Sequence, residues 1–339
     1  MEGKPRWALH LILIGILSIF VGAESLCVNI MGGKSVKSTK SHQRPQHVYG
    51  VDATEIGVQN AVVTGANRGL GFAIAERMLE LGHRVVLACR DEEEGRTAVS
   101  ILRARGHGER ALFHQLDVSR EESVRDFGRK CVQVVLEGRV DALFNNAGVC
   151  LAGGSPEVME ATLAVNFIGA LRMMEECLRC MCRAGKGSIV WISSGDGELC
   201  YLSSFAQDLL RGATSAEVHP LFDVISAVQQ ISAREGTSSA GYDTIAFSPT
   251  PAYSLSKAAA NAVIRTEAPS LLSSWGVSLT AVCPGDVRTR MCSVLPQEEA
   301  AGVEVITPAQ AAQAVVQVGL RPSDFPPGQF YRDGRRIEW

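Results

Sequence analysis

The chain has 339 residues, 46% of them hydrophobic and 20% charged, with a formal net charge of −3. That is enough apolar content for one full core, and it excludes general disorder. Residues 1–50 hold six Lys/Arg against two Glu, so the remainder carries a net −7, which argues against a nucleic-acid-binding body.

Residues 1–23 read as an address. Lys4 and Arg6 precede an apolar run from Trp7 to Val21, broken only by His10, Gly15 and Ser18, and Val21-Gly22-Ala23 offers small residues for cleavage. The run is shorter than the roughly 20 apolar residues of a spanning helix, so a secretory signal is preferred and an uncleaved ER membrane anchor is the alternative. Membrane association is expected through this run alone. Residues 24–55 are basic: from Ser25 to Gly50 there is no acid, while Lys34, Lys37, Lys40 and Arg44 sit among serines. That stretch reads either as a transit-like segment, implying onward import into a plastid or other organelle, or as a plain linker.

From residue 56 to 339 the pattern alternates short β-branched runs with amphipathic segments. The runs are Ala61-Val62-Val63, Val85-Val86-Leu87, Ala111-Leu112-Phe113, Ala142-Leu143-Phe144, Ser188 to Ile192 and Val277 to Val282. Helices are predicted near 69–81, 93–105, 121–136, 158–184, 252–273 and 308–318. Such alternation means an α/β fold, a doubly wound parallel sheet with helices on both faces and ligands at the carboxyl ends of its strands. The ten cysteines are scattered, and those in apolar runs, such as Cys89 and Cys283, suit buried free thiols. Cys177, Cys180 and Cys182 share a predicted helix with no second Cys/His cluster, so no metal is expected.

Thr64-Gly65-Ala66-Asn67-Arg68-Gly69-Leu70-Gly71 joins the first strand to the first helix. Glycines there let the backbone turn tightly and approach a pyrophosphate, which the helix N-terminus attracts. The second strand ends in Ala88-Cys89-Arg90, without the acid that selects NAD. Arg90 pairs well with a 2′-phosphate, and Arg68 adds a second charge, so NADPH (NADP) is the expected cofactor unless surface acids such as Asp91 or Glu92 take the arginines. Asp117, after the third strand, suits the adenine amino group or a helix cap. In Asn145-Asn146-Ala147-Gly148 the amides tie strand ends together and the glycine leaves room for a cofactor.

Tyr253 and Lys257 open a helix on one face. A nearby ammonium lowers a phenol's pKa toward the working range, making Tyr253 a candidate acid-base group.

Thr64 to Gly71, Asn145 to Gly148, Asn166, Ser193-Ser194, Tyr253 to Lys257 and Pro284-Gly285 occur in the order and spacing of the short-chain dehydrogenases/reductases, which residues 58–339 resemble. The resemblance implies a Rossmann-type sheet of about seven strands and hydride transfer between nicotinamide and a carbonyl or alcohol. It makes Tyr253 the proton donor, Lys257 its partner and holder of the nicotinamide ribose, Ser194 the donor to the substrate oxygen, and Asn166 the holder of a water leading from Lys257 to solvent. Cofactor contacts are expected from Gly65, Asn67, Arg68, Gly69, Leu70, Gly71, Arg90, Asp117, Val118, Asn145, Ala147, Gly148, Tyr253, Lys257, Pro284, Gly285, Val287 and Thr289.

Within the family, Ser194 and Tyr253 lie unusually far apart, with an insert at about 199–251. Carbonyl reductases of the monomeric type carry such an insert, and the chain resembles them at Val85 to Asp91, Phe113 to Asp117, Cys283-Pro284-Gly285 and Gly328 to Trp339. The insert should cover the face that most members use to dimerise, so a monomer is expected. Its apolar residues, Tyr201, Leu202, Phe205, Leu209, Leu210, Leu221, Phe222, Val224 and Ile225, either line a substrate pocket or pack on the core. Pro269 should kink or end the catalytic helix early. Asp286 replaces an aromatic residue usual in the carbonyl reductases. The expected activity is reduction of a ketone, aldehyde or quinone by NADPH. Oxidation of an alcohol, or a silent NADP-binding sensor, are the alternatives.

Overall fold

The structure is a computed structural model that describes residues 59–215, 220–236, 250–289, 291 and 305–339. The apolar run at 7–21 and the basic segment at 24–55 lie outside the described residues. Among those described, no helix is long and apolar enough to cross a membrane.

Eight strands form one sheet: β1 (Asn60–Thr64), β2 (Arg84–Cys89), β3 (Ala111–Gln115), β4 (Ala142–Asn145), β5 (Gly187–Ile192), β6 (Val277–Cys283), β7 (Phe330–Arg332) and β8 (Arg335–Ile337), in the order β3-β2-β1-β4-β5-β6-β7-β8. The first seven run parallel, and β8 returns antiparallel to β7. About seven strands were expected, and the extra one comes from a two-residue turn. Asp333 and Gly334 have φ of 50° and 70°, as the tight hairpin turn of a twisted strand pair requires.

Helices cover both faces: α1 (Gly69–Glu80), α2 (Glu92–Leu102), α3 (Glu121–Phe127), α4 (Pro156–Leu163), α5 (Ala170–Ala184), α6 (Ser204–Thr214), α7 (Pro220–Gly236), α8 (Pro251–Trp275) and α9 (Pro308–Leu320). Alternate strand residues feed two cores. Val62, Leu143, Ile189, Trp191 and Leu279 pack toward α3 to α8, whereas Val63, Val85, Leu87, Phe144 and Val190 pack toward α1, α2 and α9. Central strands buried on both sides read as near-continuous apolar runs, which is why the sequence located them.

The predicted 158–184 helix is α4 and α5 joined by a wider π-helical stretch, Ala164–Gly169, that contains Asn166. Pro269 does not end the helix: α8 runs past it to Trp275. An interior proline costs about 3 kcal/mol. Buried Ala268 and Leu271 hold the last turns on the core, and Gly276 closes the helix in a left-handed cap. In the insert, Leu202, Leu210, Leu221, Val224 and Ile225 are buried in the α3 to α8 core, and Phe205 lies beneath Arg234 at 4.0 Å. Leu209 packs half-buried against the same core, and Tyr201 and Phe222 are exposed.

Candidate active site

The chain reverses its winding direction between β1 and β4, opening a crevice at their carboxyl ends. Thr64 and Asn146 stitch that edge. Backbone amides of Asn146 and Ala147 donate to Thr64 Oγ1 at 3.0 and 2.9 Å, and Asn146 Nδ2 donates to Thr64 O at 2.8 Å. A Cβ on Gly71 would collide with Asn146 Nδ2 and the Gly65 carbonyl, so glycine is required for α1 to start this close to the strand ends. Strand tying was expected of both asparagines. Asn146 does it, but Asn145 donates instead to Ala170 O at 3.0 Å, joining β4 to α5.

The residues fit a dinucleotide. Arg68, at the N-cap of α1, makes no side-chain cap, which leaves the helix's first amides open, whereas α2 is capped by the Asp91 side chain. Gly69 faces the loop after β6: a Cβ there would stand 3.4 Å from the Thr289 methyl. Thus Gly65, Gly69, Leu70, Gly71, Ala147 and Thr289 gather at one crevice. Pro284 and Gly285 leave β6 beside it, and Val287 is held by a parallel bridge to Ile306. Buried Val118 packs against Gly169.

At the crevice's charged end, Asn67 Nδ2 and Arg68 Nη1 both donate to Glu94 Oε2, the latter at 2.8 Å. The expected competitors for the arginines, Asp91 and Glu92, are otherwise engaged: Asp91 caps α2, and Glu92 pairs with Arg96 at 2.7 Å. Arg90 is exposed and makes no ion pair among the described residues. Asp117 does not cap a helix. Its Oδ1 accepts from the Ser119 amide at 3.0 Å and the Ser119 hydroxyl at 2.6 Å, leaving Oδ2.

The catalytic candidates converge at the carboxyl end of β5 and the first turns of α8. Tyr253 is buried and hydrogen-bonds Ser194. Lys257 Nζ lies 5.3 Å from the Tyr253 ring centroid and donates to Ile192 O at 2.7 Å. Ser194 is in turn fixed by the Asp196 amide, which donates to its Oγ at 3.3 Å. The turn Gly195–Gly197 is pressed onto α8: a Cβ on Gly197 would lie 2.9 Å from the Lys257 carbonyl carbon. Asn261 completes the clamp, accepting from Ser193 Oγ at 2.8 Å and donating to Gly197 O at 3.2 Å. Arg332 on β7 holds the outer side, its guanidinium lying over Gly195 between Glu198 and Cys283.

Asn166 is also buried here, but its amide is spent on protein. It accepts from Val149 N at 2.8 Å and donates to Val149 O at 2.9 Å and Ser256 Oγ at 3.0 Å. Gly148 stands between it and the lysine, where a Cβ would be 3.4 Å from Asn166 Oδ1 and 3.8 Å from Lys257 Nζ.

Electrostatics correct one expectation. Tyr253 was expected to be acidified by Lys257, yet burial, then the Asp196 carboxylate, push the phenol up, opposed only by the Ser194 bond. Lys257 meanwhile is lowered to about 8, chiefly by burial. Burial and then Asp286 also raise the Asp196 carboxyl, against Arg332 and Lys257. Asp196, Asn261 and Arg332 were missed in the sequence, because none belongs to a local motif.

The cysteine cluster lies along α5, with Cys177 and Cys180 buried and their thiols pushed up by desolvation. No group of three or more His/Cys/Asp/Glu among the described residues has metal-binding geometry.

A family model described as short chain dehydrogenase matches residues 59–205. Carbonyl reductase 1 of Bos taurus, whose name specifies NADPH, is 31% identical over 294 residues, covering 82% of this chain and 98% of its own. Salutaridine reductase of Papaver somniferum superposes with a TM-score of 0.64 at 27% identity, over 80% of this chain and 99% of its own. An NADPH-bound carbonyl reductase from chicken fatty liver has the same fold at 20% identity, with a TM-score of 0.60, over 83% of this chain and 99% of its own.

Proposed function

The chain belongs to the short-chain dehydrogenase/reductase family and is an oxidoreductase, and from that premise we propose that it reduces a small-molecule ketone, aldehyde or quinone with NADPH. One observation carries the reading. Tyr253 is a buried phenol bonded to Ser194 and flanked by Lys257 at the start of α8. A protonated phenol is the form that gives a proton to a carbonyl oxygen as hydride arrives, and burial keeps Tyr253 in that form.

The bound cofactor would supply a hydride. The chain's own residues then do the rest. The Gly65 to Gly71 turn and the open amides of α1 take the pyrophosphate, Asn67, Arg68 and Arg90 face the 2′-phosphate, and Asp117 receives the adenine amino group. Ser194 donates to the substrate oxygen as negative charge grows there, and Tyr253 delivers its proton. Lys257, released from Ile192 O, holds the nicotinamide ribose and stabilises the phenolate that remains. Asn166 keeps the loop at Val149 in place and supports the water path by which Tyr253 is reprotonated.

The NADPH named for the bovine relative supports this cofactor. The insert helices α6 and α7 pack in the core with α8, which supports a monomer. A secretory signal at 1–23 belongs to the same proposal, and N-terminal sequencing of the mature protein tests it. The decisive experiment follows absorbance at 340 nm with NADPH, then NADH, against quinones, aldehydes and ketones. Oxidation of NADPH that disappears in Tyr253→Phe supports the reading. Cofactor binding without turnover on any carbonyl would favour the silent sensor.

A further inference from the structure

We propose that Glu94 is a cofactor-specificity determinant, competing with the 2′-phosphate of NADPH for Asn67 and Arg68. The inference rests on the NADPH reading above and refines it. An acid that selects NAD normally stands at the end of the second strand and accepts from the ribose hydroxyls. Here β2 ends at Cys89, with Arg90 next, and the acid that meets the donors, Glu94, comes five residues after Cys89, in the first turn of α2. Its carboxylate accepts from Asn67 Nδ2 and, at 2.8 Å, from Arg68 Nη1. Two donors expected to meet the phosphate are therefore already held by an anion of the protein itself.

The backbone fixes this arrangement. Glu94 N donates to Asp91 Oδ1 at 2.8 Å. The next residue, Gly95, lies so near β2 and β3 that a Cβ would be 2.8 Å from Cys89 Sγ and nearer still to the Phe113 ring. The start of α2 is thus packed against the sheet, and the carboxylate and its exposed donors part by rotation of their side chains. Arg96 does not draw it away, being paired with Glu92 at 2.7 Å and lying over Phe113.

A phosphate monoester carries about −1.5 to −2 charges and three acceptor oxygens, so it outcompetes one carboxylate for a guanidinium. It must still displace Glu94 and bind beside the displaced charge. NADH, with two ribose hydroxyls in that place, leaves the Glu94 contacts intact. The preference for NADPH is therefore smaller than Arg68 and Arg90 alone would set.

Calorimetric titration of the full chain with NADPH, NADH, adenosine 2′,5′-bisphosphate and AMP tests this in wild type, Glu94→Gln and Glu92→Gln. The second variant removes the same charge from the same helix turn, but from a residue paired with Arg96. Glu94→Gln should tighten NADPH and the bisphosphate about five- to tenfold while NADH and AMP stay within about twofold, and Glu92→Gln should move none of them beyond about twofold. Glu94→Ser, which cannot reach Arg68, should give the same gain as glutamine. Unchanged NADPH affinity in both Glu94 variants would overturn the proposal. So would weakened NADH, which would make Glu94 a ribose ligand, or an equal gain in Glu92→Gln, which would make the effect a general field. If no variant binds either 2′-phosphorylated ligand, the NADPH reading itself fails and this inference with it.

Discussion

The two ends of the crevice are built from opposite materials. At the reaction end, Tyr253, Lys257, Asn166, Ser193 and Asn261 are buried, and each hydrogen-bonds a neighbouring protein group. At the end proposed for the adenosine, Arg90 is exposed, and Arg68 and Glu94 meet with 56% and 45% of their side chains open to solvent. Burial at the first end moves pKa values and fixes geometry, so changes there should alter chemistry. Exposure at the second leaves charges screened and mobile, so changes there should alter affinity and its dependence on salt.

The sharpest way to break this contrast is to remove the proposed proton donor. Tyr253→Phe keeps the ring that Lys257 faces and deletes only the hydroxyl bonded to Ser194. Turnover should fall by about 10³-fold or more, while NADPH affinity by fluorescence titration stays within about twofold. An equal loss of affinity would mean that the reaction end is not separable from the cofactor end.

The second test uses the buried lysine. Its pKa is lowered to about 8 in the folded chain against 10.5 unfolded, so between those values the unfolded state binds more protons. Stability should therefore rise as pH increases from 8 toward 10.5. Below that window the charged lysine costs the fold up to about 3 kcal/mol. Lys257→Met, of similar length, should lose activity yet melt no lower than wild type at neutral pH, and its melting temperature should lose this rise with pH. A variant that melts well below wild type would show that the bond to Ile192 O outweighs desolvation.

Third comes the clamp on Ser194. Gly197→Val adds bulk where even a Cβ would lie 2.9 Å from the Lys257 backbone. We expect about 1–3 kcal/mol of destabilisation, read by chemical denaturation, with a fall in kcat larger than any change in NADPH affinity. Equal effects on both would mean that the turn supports the whole crevice.

The same contrast explains what the sequence could reveal. The strand ends and the Tyr253/Lys257 pair were legible because period and spacing are local: a glycine turn between an apolar run and a helix, and two side chains one turn apart. β7 and β8 were missed as runs although Asp333-Gly334 is a hairpin signal, because three-residue strands give no periodicity. Pro269 misled as a stop signal because tertiary packing of α8 overrides local helix propensity. At the site, what escaped was relational. Nothing near Lys257 in sequence says that it will turn to Ile192 O, and nothing near Arg332 says that it will lie over Gly195. The partner of Arg68 was sought among Asp91 and Glu92, but capping and the Arg96 pair occupy those acids and leave Glu94.

The smallest effect is expected at the exposed end, from Arg90→Ala. Gln115 fixes the Arg90 carbonyl at 3.1 Å, so the backbone at the end of β2 should survive loss of the side chain. With no acid holding the guanidinium among the described residues, its charge is available to a 2′-phosphate, in contrast to that of Arg68. NADPH affinity should drop about five- to tenfold, with NADH and kcat nearly unchanged, because an exposed charge pair is worth little and acts on binding alone. Raising salt from 50 to 300 mM should narrow the gap between variant and wild type, since screening already weakens the contact that the variant lacks. A salt-independent loss, or a fall in kcat comparable to that of Gly197→Val, would mean that Arg90 helps to hold the reaction end, and the division of the crevice into a dry half and a charged half would not stand.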